Sequence, residues 1–241
     1  MKTVRWLVAG MIWMGVISMT AAQSVTVLCY HTFLGHPRLE TDFSIPEFSR
    51  HIQLLQAKGY RFVTFDAMTK GQITGSRNVL LVIDDGNRSA YEAYQQVLRP
   101  QRIPVMFAIY PGIIGSRRFA MTWEQLQSAV DNGAEVASHG YFHEFLSEAF
   151  KAKRPQDFEN EVRLSQRRLS QQLGRPIQLY VYPFGVFSVS GKQLLKASGY
   201  RYAMTIQPGP TLIPLSRNPN PLQLPRIMIT RSNAQGVLGR L

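Results

Sequence analysis

One cysteine in 241 residues is too few for an internal disulfide, so packing and hydrogen bonding must hold this chain together. That residue, Cys29, sits in the apolar run Val25 to Tyr30 and reads as a small core hydrophobe. Thr26-Val27-Leu28 before it lack the small side chains of a lipid-attachment site. Acidic residues are also few, 15 against 27 Lys and Arg, which leaves a formal charge of +12. The basic residues are scattered, and no dense run of them is interleaved with aromatics, which argues against a nucleic-acid partner. Internal repeats and low-complexity stretches are missing. The apolar run near the start is too short for a comfortable membrane span.

That run belongs to a segment with the pattern of a secretory signal, residues 1–22. Lys2 and Arg5 precede an apolar core from Trp6 to Met19, and Thr20-Ala21-Ala22 supply a cleavage site. An uncleaved anchor is the alternative reading. Export to the periplasm or the extracellular space is expected, with no integral span after cleavage. Without Lys2 and Arg5 the chain keeps 25 basic and 15 acidic residues and stays near +10. A basic exported surface would meet anionic envelope polymers or lipid headgroups.

Within residues 23–241 short apolar runs alternate with amphipathic stretches, the pattern of a single α/β domain with parallel strands. Strands are expected at 24–30, 78–83, 104–110, 135–138, 178–182, 201–205 and 226–229. Their Val, Ile, Leu and Tyr content is nearly continuous, as in strands covered on both faces. Ser44 with Glu47, and Thr122 with Gln125, form capping boxes at two helix starts, and Gly59 and Gly133 end those helices. A longer helix begins near Pro155, presents Phe158, Val162, Leu169 and Leu173 on one face, and stops at Gly174. Between Pro208 and Pro225 the density of Pro and Asn predicts a long loop.

Four of these strands run directly into reactive or turn-forming residues: Cys29-Tyr30-His31, Ile83-Asp84-Asp85-Gly86, Ser138-His139 through His143, and Tyr182-Pro183-Phe184-Gly185. In a parallel β/α barrel every strand C-terminus opens on one face, where the active site lies. Asp84-Asp85-Gly86 alone is an ordinary turn sequence. His139 and His143 alone suit either a helical metal pair or two surface histidines. Together, one carboxylate and two imidazoles suit Zn²⁺ with a position left open for water. Co²⁺, Ni²⁺ or Mn²⁺ would be accepted by the same donors.

These motifs resemble those of the polysaccharide deacetylases of the NodB-homology superfamily. Val82-Ile83-Asp84-Asp85-Gly86 stands where the family has Thr-Phe-Asp-Asp-Gly, and His139 and His143 match His-Ser/Thr-x-x-His, with Gly140 in the hydroxyl position. Tyr182-Pro183-Phe184-Gly185 is a variant third motif. Leu28-Cys29-Tyr30-His31 and Leu224-Pro225-Arg226-Ile227 are similar to the branch acting on envelope polysaccharides or exopolysaccharides. The resemblance implies a distorted (β/α) barrel of about seven parallel strands that removes N-acetyl groups from a glycan. It implies Asp85, His139 and His143 as ligands of a divalent metal, and Asp84 as general base. It also implies an oxyanion or substrate contact at the turn carrying Tyr182 and Phe184.

Two departures bear on the chemistry. No histidine follows His143 to act as the usual C-terminal general acid, and Val181 stands where the third motif has an arginine that steadies the base. From strand-end position, His31 is expected to supply the acid or a substrate contact, and Arg226 to steady Asp84. A buried histidine bonded to a loop carbonyl is the alternative for His31, and simple packing the alternative for Tyr182 and Phe184. His36 and His51 read as solvated. At the level of function, a glycan-binding relative without turnover, or the same metal site acting on another amide or ester, are the competing readings.

Overall fold

The computed structural model describes residues 23–241, so the signal reading of residues 1–22 lies outside the described residues. The strands are β1 (Ser24–Tyr30), β2 (Arg61–Phe62), β3 (Asn78–Asp85), β4 (Met106–Ile109), β5 (Glu135–Ser138), β6 (Leu179–Val181), β7 (Tyr202–Met204), β8 (Pro210–Leu212) and β9 (Ile227–Met228). The helices are α1 (Ile45–Ala57), α2 (Phe65–Thr69), α3 (Arg88–Ala93), α4 (Trp123–Asp131), α5 (Glu148–Lys153), α6 (Pro155–Leu173), α7 (Val189–Ala197) and α8 (Ala234–Arg240).

Parallel pairing runs β7-β6-β5-β4-β3-β1, with β2 beside β3 and β9 beside β1. The sheet curls because its two ends share one segment. Leu224 bridges to Met204, the last residue of β7, and three residues later β9 pairs with β1. This is the distorted (β/α) barrel expected, and all seven anticipated strands are present. Period-2 alternation sorts the side chains. Val25, Val27, Leu80, Val82, Met106, Ala108, Val181, Met204 and Leu224 fill the interior, and Phe65 and Met68 of α2 pack with them. Leu28, Tyr30, Leu81, Ile83, Phe107 and Tyr180 face the helices. Both faces of β3 are thus dry, which is why its sequence is an unbroken apolar run.

Both capping boxes form, at Ser44–Glu47 and Thr122–Gln125. The Pro-rich segment departs from the loop reading: β8 lies within it, antiparallel to β1, with Thr26 opposite Pro210 and Ser24 opposite Leu212. An edge strand can begin on proline because the missing N–H faces no partner strand. Among the described residues no helix is long and apolar enough to cross a membrane.

Candidate metal centre

The polar residues at the strand ends converge because the strands are parallel. Asp85, the last residue of β3, has φ 77°, and Gly86 after it has φ 83°. A Cβ on Gly86 would meet Ile114 at 2.9 Å and Ile109 at 3.0 Å, so the turn requires glycine. Among the described residues the non-glycine positions with positive φ are Asp85, Arg102, His143 and Phe184, three of them in the sequence-read site. Strain gathers where the backbone must aim a side chain.

Asp85 Oδ1 lies 3.4 Å from His139 Nε2 and 3.2 Å from His143 Nε2, and the two imidazole nitrogens are 3.2 Å apart. Bonds of about 2.0–2.1 Å in a tetrahedral Zn²⁺ site separate donor atoms by roughly 3.3–3.4 Å. Asp85 Oδ1 is also buried without a hydrogen-bond partner, an arrangement that costs free energy unless a cation occupies the space between the donors. His139 is buried and bonds through Nδ1 to the Val181 carbonyl at 2.8 Å, which places the ring proton on Nδ1 and leaves Nε2 as the lone-pair donor. These residues fit a divalent metal. Burial opposes ionisation of Asp85, yet the two imidazoles hold it well below the usual carboxylate range. His139 is raised despite its burial, by Asp84 and Asp85, so protons and a metal ion compete for its Nε2.

Asp84 points into the barrel above Val82, following the same alternation. Arg226 Nη1 donates to its Oδ1 at 2.8 Å and Nη2 to its Oδ2 at 3.1 Å, while Arg226 Nε donates to the Thr205 carbonyl at 2.9 Å. Both residues are buried. Burial pushes the Asp84 pKa up, but the Arg226 charge, with His139 and His31, brings it below its ordinary value. Asp84 Oδ2 is 3.7 Å from His139 Nε2, which sets it beside the metal donors.

Two residues outside the sequence-read set also face the site. Cys29 Sγ donates to Asp84 Oδ2 at 3.3 Å, and burial keeps the thiol protonated. Val25 and Val27 point inward, so alternation along β1 was the signal that Cys29 does too. Cys29, His31 and Asp84 form a second cluster of potential ligands. It does not fit a cation, since Arg226 occupies both Asp84 oxygens and the thiol offers a proton. Glu161 of α6 is the other residue, buried against the loop that carries His143.

His31 is half-buried with Nδ1 4.0 Å from Cys29 Sγ, and burial lowers its pKa against the pull of Asp84 and Asp85. Tyr182 is placed differently from a substrate contact: its ring is buried and its hydroxyl donates to the Leu222 carbonyl at 3.1 Å. The Tyr182 amide is also committed, to Met204 O, and the Gly185 and Val186 amides close the turn on Tyr182 O and Pro183 O. Proline has no amide proton, so the Phe184 N–H is the donor of this turn left without a partner among the described residues. The Phe184 ring is 51% exposed, stacks on Phe145 at 4.3 Å and meets His143 edge-on at 4.6 Å. His51 is not solvated as expected. It is half-buried, with Nδ1 3.3 Å from the Tyr30 hydroxyl.

The family model for polysaccharide deacetylase matches residues 71–203, which include Asp84, Asp85, His139, His143, Tyr182 and Phe184 but not the segments carrying His31 and Arg226. The poly-beta-1,6-N-acetyl-D-glucosamine N-deacetylase of Staphylococcus epidermidis is 24% identical over 173 residues, 67% of this chain and 60% of that protein. Its namesake from Staphylococcus aureus is 21% identical over 196 residues, 76% of this chain and 66% of that protein. The chain therefore spans less than two thirds of the length of these curated relatives. IcaB from Ammonifex degensii is similar in structure with a TM-score of 0.78 and 25% identity, over 91% of this chain and 97% of that one. The Streptococcus pyogenes deacetylase PplD in complex with acetate shares the fold, with a TM-score of 0.75 at 20% identity over 91% of this chain and 98% of that one.

Proposed function

The chain belongs to the polysaccharide deacetylase family, and from that premise we propose that it is a metal-dependent hydrolase removing N-acetyl groups from an extracellular or envelope polysaccharide. The observation that carries this reading is the donor triangle of Asp85, His139 and His143, with separations of 3.2–3.4 Å, set beside a buried carboxylate clamped by arginine. The named activity of the staphylococcal relatives favours a poly-β-1,6-N-acetylglucosamine exopolysaccharide as substrate. Peptidoglycan and chitin-like oligomers are the other N-acetylated candidates. The secretory pattern of residues 1–22 supports action outside the cytoplasm.

Asp85, His139 and His143 would hold the metal, with Zn²⁺ the ion that suits these donors and Co²⁺, Ni²⁺ or Mn²⁺ compatible. A divalent ion there supplies Lewis acidity toward water and toward the acyl oxygen. Asp84 takes the proton of the attacking water, and its pairing with Arg226 keeps the carboxylate ionised and fixed in direction. The Phe184 N–H is the oxyanion donor of the third motif. Exposed Phe184 and Phe145 form an apolar wall next to His143 on which a sugar ring can lie. His31 is the candidate for protonating the leaving amine or for contacting the substrate, in place of a C-terminal histidine.

Acetate release by the Zn²⁺-loaded protein from β-1,6-N-acetylglucosamine oligomers and from peptidoglycan tests this assignment. Release is expected, and Asp84→Asn should lower it by about 10²–10⁴-fold without loss of bound metal. Full turnover in His31→Gln would remove His31 from the acid role. With metal confirmed bound, no release from any glycan would favour a binding protein or another acyl substrate.

A further inference from the structure

Glu161 is an anomaly in α6. It lies on the buried face of that amphipathic helix, with Phe158, Val162, Ser165 and Leu169, and has no exposed surface. Carboxylates are rarely buried to this degree unless their oxygens are satisfied. Its partners here are all backbone amides of the loop after β5. Oε2 accepts the Phe142 N–H at 2.8 Å, Oε1 accepts the Glu144 N–H at 2.8 Å, and the Tyr141 N–H also turns toward the carboxylate. These amides flank His143, whose φ of 66° is one of the strained angles of the chain. From the opposite side, the Gly112 N–H bonds the Tyr141 carbonyl at 3.1 Å.

Gly140 completes the arrangement. A Cβ there would stand 2.0 Å from Glu161 Oε1 and 3.3 Å from the Tyr180 hydroxyl. The carboxylate therefore fills the space a side chain at 140 would need, at the position where the second motif of the family has serine or threonine. Glycine at 140 leaves the room that the Glu161 carboxylate occupies.

We propose that Glu161 is a positioning residue for the metal centre, its carboxylate fixing the backbone of loop 139–144 and through it the direction of the His143 ring. The inference rests on the reading of Asp85, His139 and His143 as metal ligands. Two hydrogen bonds gathered on one carboxylate, one on each side of His143, hold a strained loop more rigidly than neutral partners would. Glutamine in place of glutamate keeps the shape but offers one acceptor oxygen, and its NH₂ group then faces an amide proton.

The test is a Zn²⁺ titration of the metal-stripped chain against a chelating dye, with far-UV circular dichroism of each metal-free variant. Glu161→Gln should remain folded and bind Zn²⁺ about 10–100-fold more weakly, with acetate release recovering as Zn²⁺ approaches saturation. Glu159→Gln, two residues away on the exposed face where Glu159 pairs with Arg163, should match the unsubstituted chain. A folded Glu161→Gln with affinity within about twofold of the unsubstituted chain overturns the proposal. Should that variant fail to fold, Glu161→Asp keeps the charge with a shorter reach, and unchanged affinity there overturns it equally. If the unsubstituted chain binds no Zn²⁺, it is the ligand assignment that fails, and the inference falls with it.

Discussion

Arg226 and Asp84 are buried together with two hydrogen bonds between them, and each is the reason the other tolerates its position. Removing one partner of such a pair leaves an uncompensated charge in a dry layer above the barrel interior, which typically costs about 3–5 kcal/mol. Arg226→Met should show a loss of that order in urea unfolding at neutral pH. The sign of the pH dependence follows from the depressed Asp84 pKa. The pair stabilises the fold above the ordinary carboxylate range and loses that contribution as pH falls through the folded-state pKa. Without the guanidinium, burial dominates and the base protonates at higher pH. The acid limb of the pH–rate profile should therefore move upward, and an unchanged profile would remove Arg226 from its role.

Helix α1 shows how an element defined locally becomes tied to a distant one. Its capping box was legible because Ser44 and Glu47 are three residues apart, and the Ser44 N–H does donate to Glu47 Oε2 at 2.7 Å. Nothing local announces that Arg231 also grips Glu47 through both terminal nitrogens, at 3.0 and 3.1 Å. Arg231, followed by the amide and hydroxyl of Ser44, brings the Glu47 pKa down from 4.5 to about 2. A depressed carboxylate pKa stabilises the fold above the unfolded value, and that stability drains away as pH falls from 4.5 to about 2. Glu47→Gln should cost on the order of 1 kcal/mol near neutral pH, a modest figure because the pair is partly solvated. The difference from the unsubstituted chain should shrink as urea unfolding is repeated at falling pH. A constant difference would mean that the cap works through shape alone. The β8 strand teaches the converse: proline density read as a loop, yet an edge position makes the same residues a strand.

At the scale of the molecule, an excess of basic residues is carried by a chain whose proposed substrate is uncharged. Such a surface would hold the protein near acidic envelope polymers or anionic lipid by long-range attraction, which salt screens within about 8–10 Å at physiological strength. Co-sedimentation with peptidoglycan or anionic vesicles should be strong at low salt and fall steeply as salt rises. Retention unaffected by salt would exclude this electrostatic anchoring.

The seven principal strands, the two capped helix starts and the motif residues Asp84, Asp85, His139 and His143 at their strand ends were legible in the chain. Each of these is written in neighbouring residues: a run covered on both faces, a three-residue cap, a motif at a strand end that parallel pairing must send to one face. Tertiary structure decided the rest. The sequence suggested Arg226 from its strand-end position, but only closure of the barrel through Leu224 and β9 brings the guanidinium to Asp84, 142 residues away. Cys29 reads as core, and it is core, yet β1–β3 register sets its thiol against the same carboxylate. Spacing puts Glu161 on the apolar face of α6, beside Phe158 and Val162, but only the packing of α6 under loop 139–144 gives its carboxylate backbone amides to bind. Tyr182 sits in a motif and is nevertheless spent on the Leu222 carbonyl, leaving the Phe184 amide as the free donor. Spacing along the chain records which side chains can meet within an element. Which elements meet, and which hydrogen-bonding groups are already used when they do, is settled only by the closed sheet and the helices packed around it.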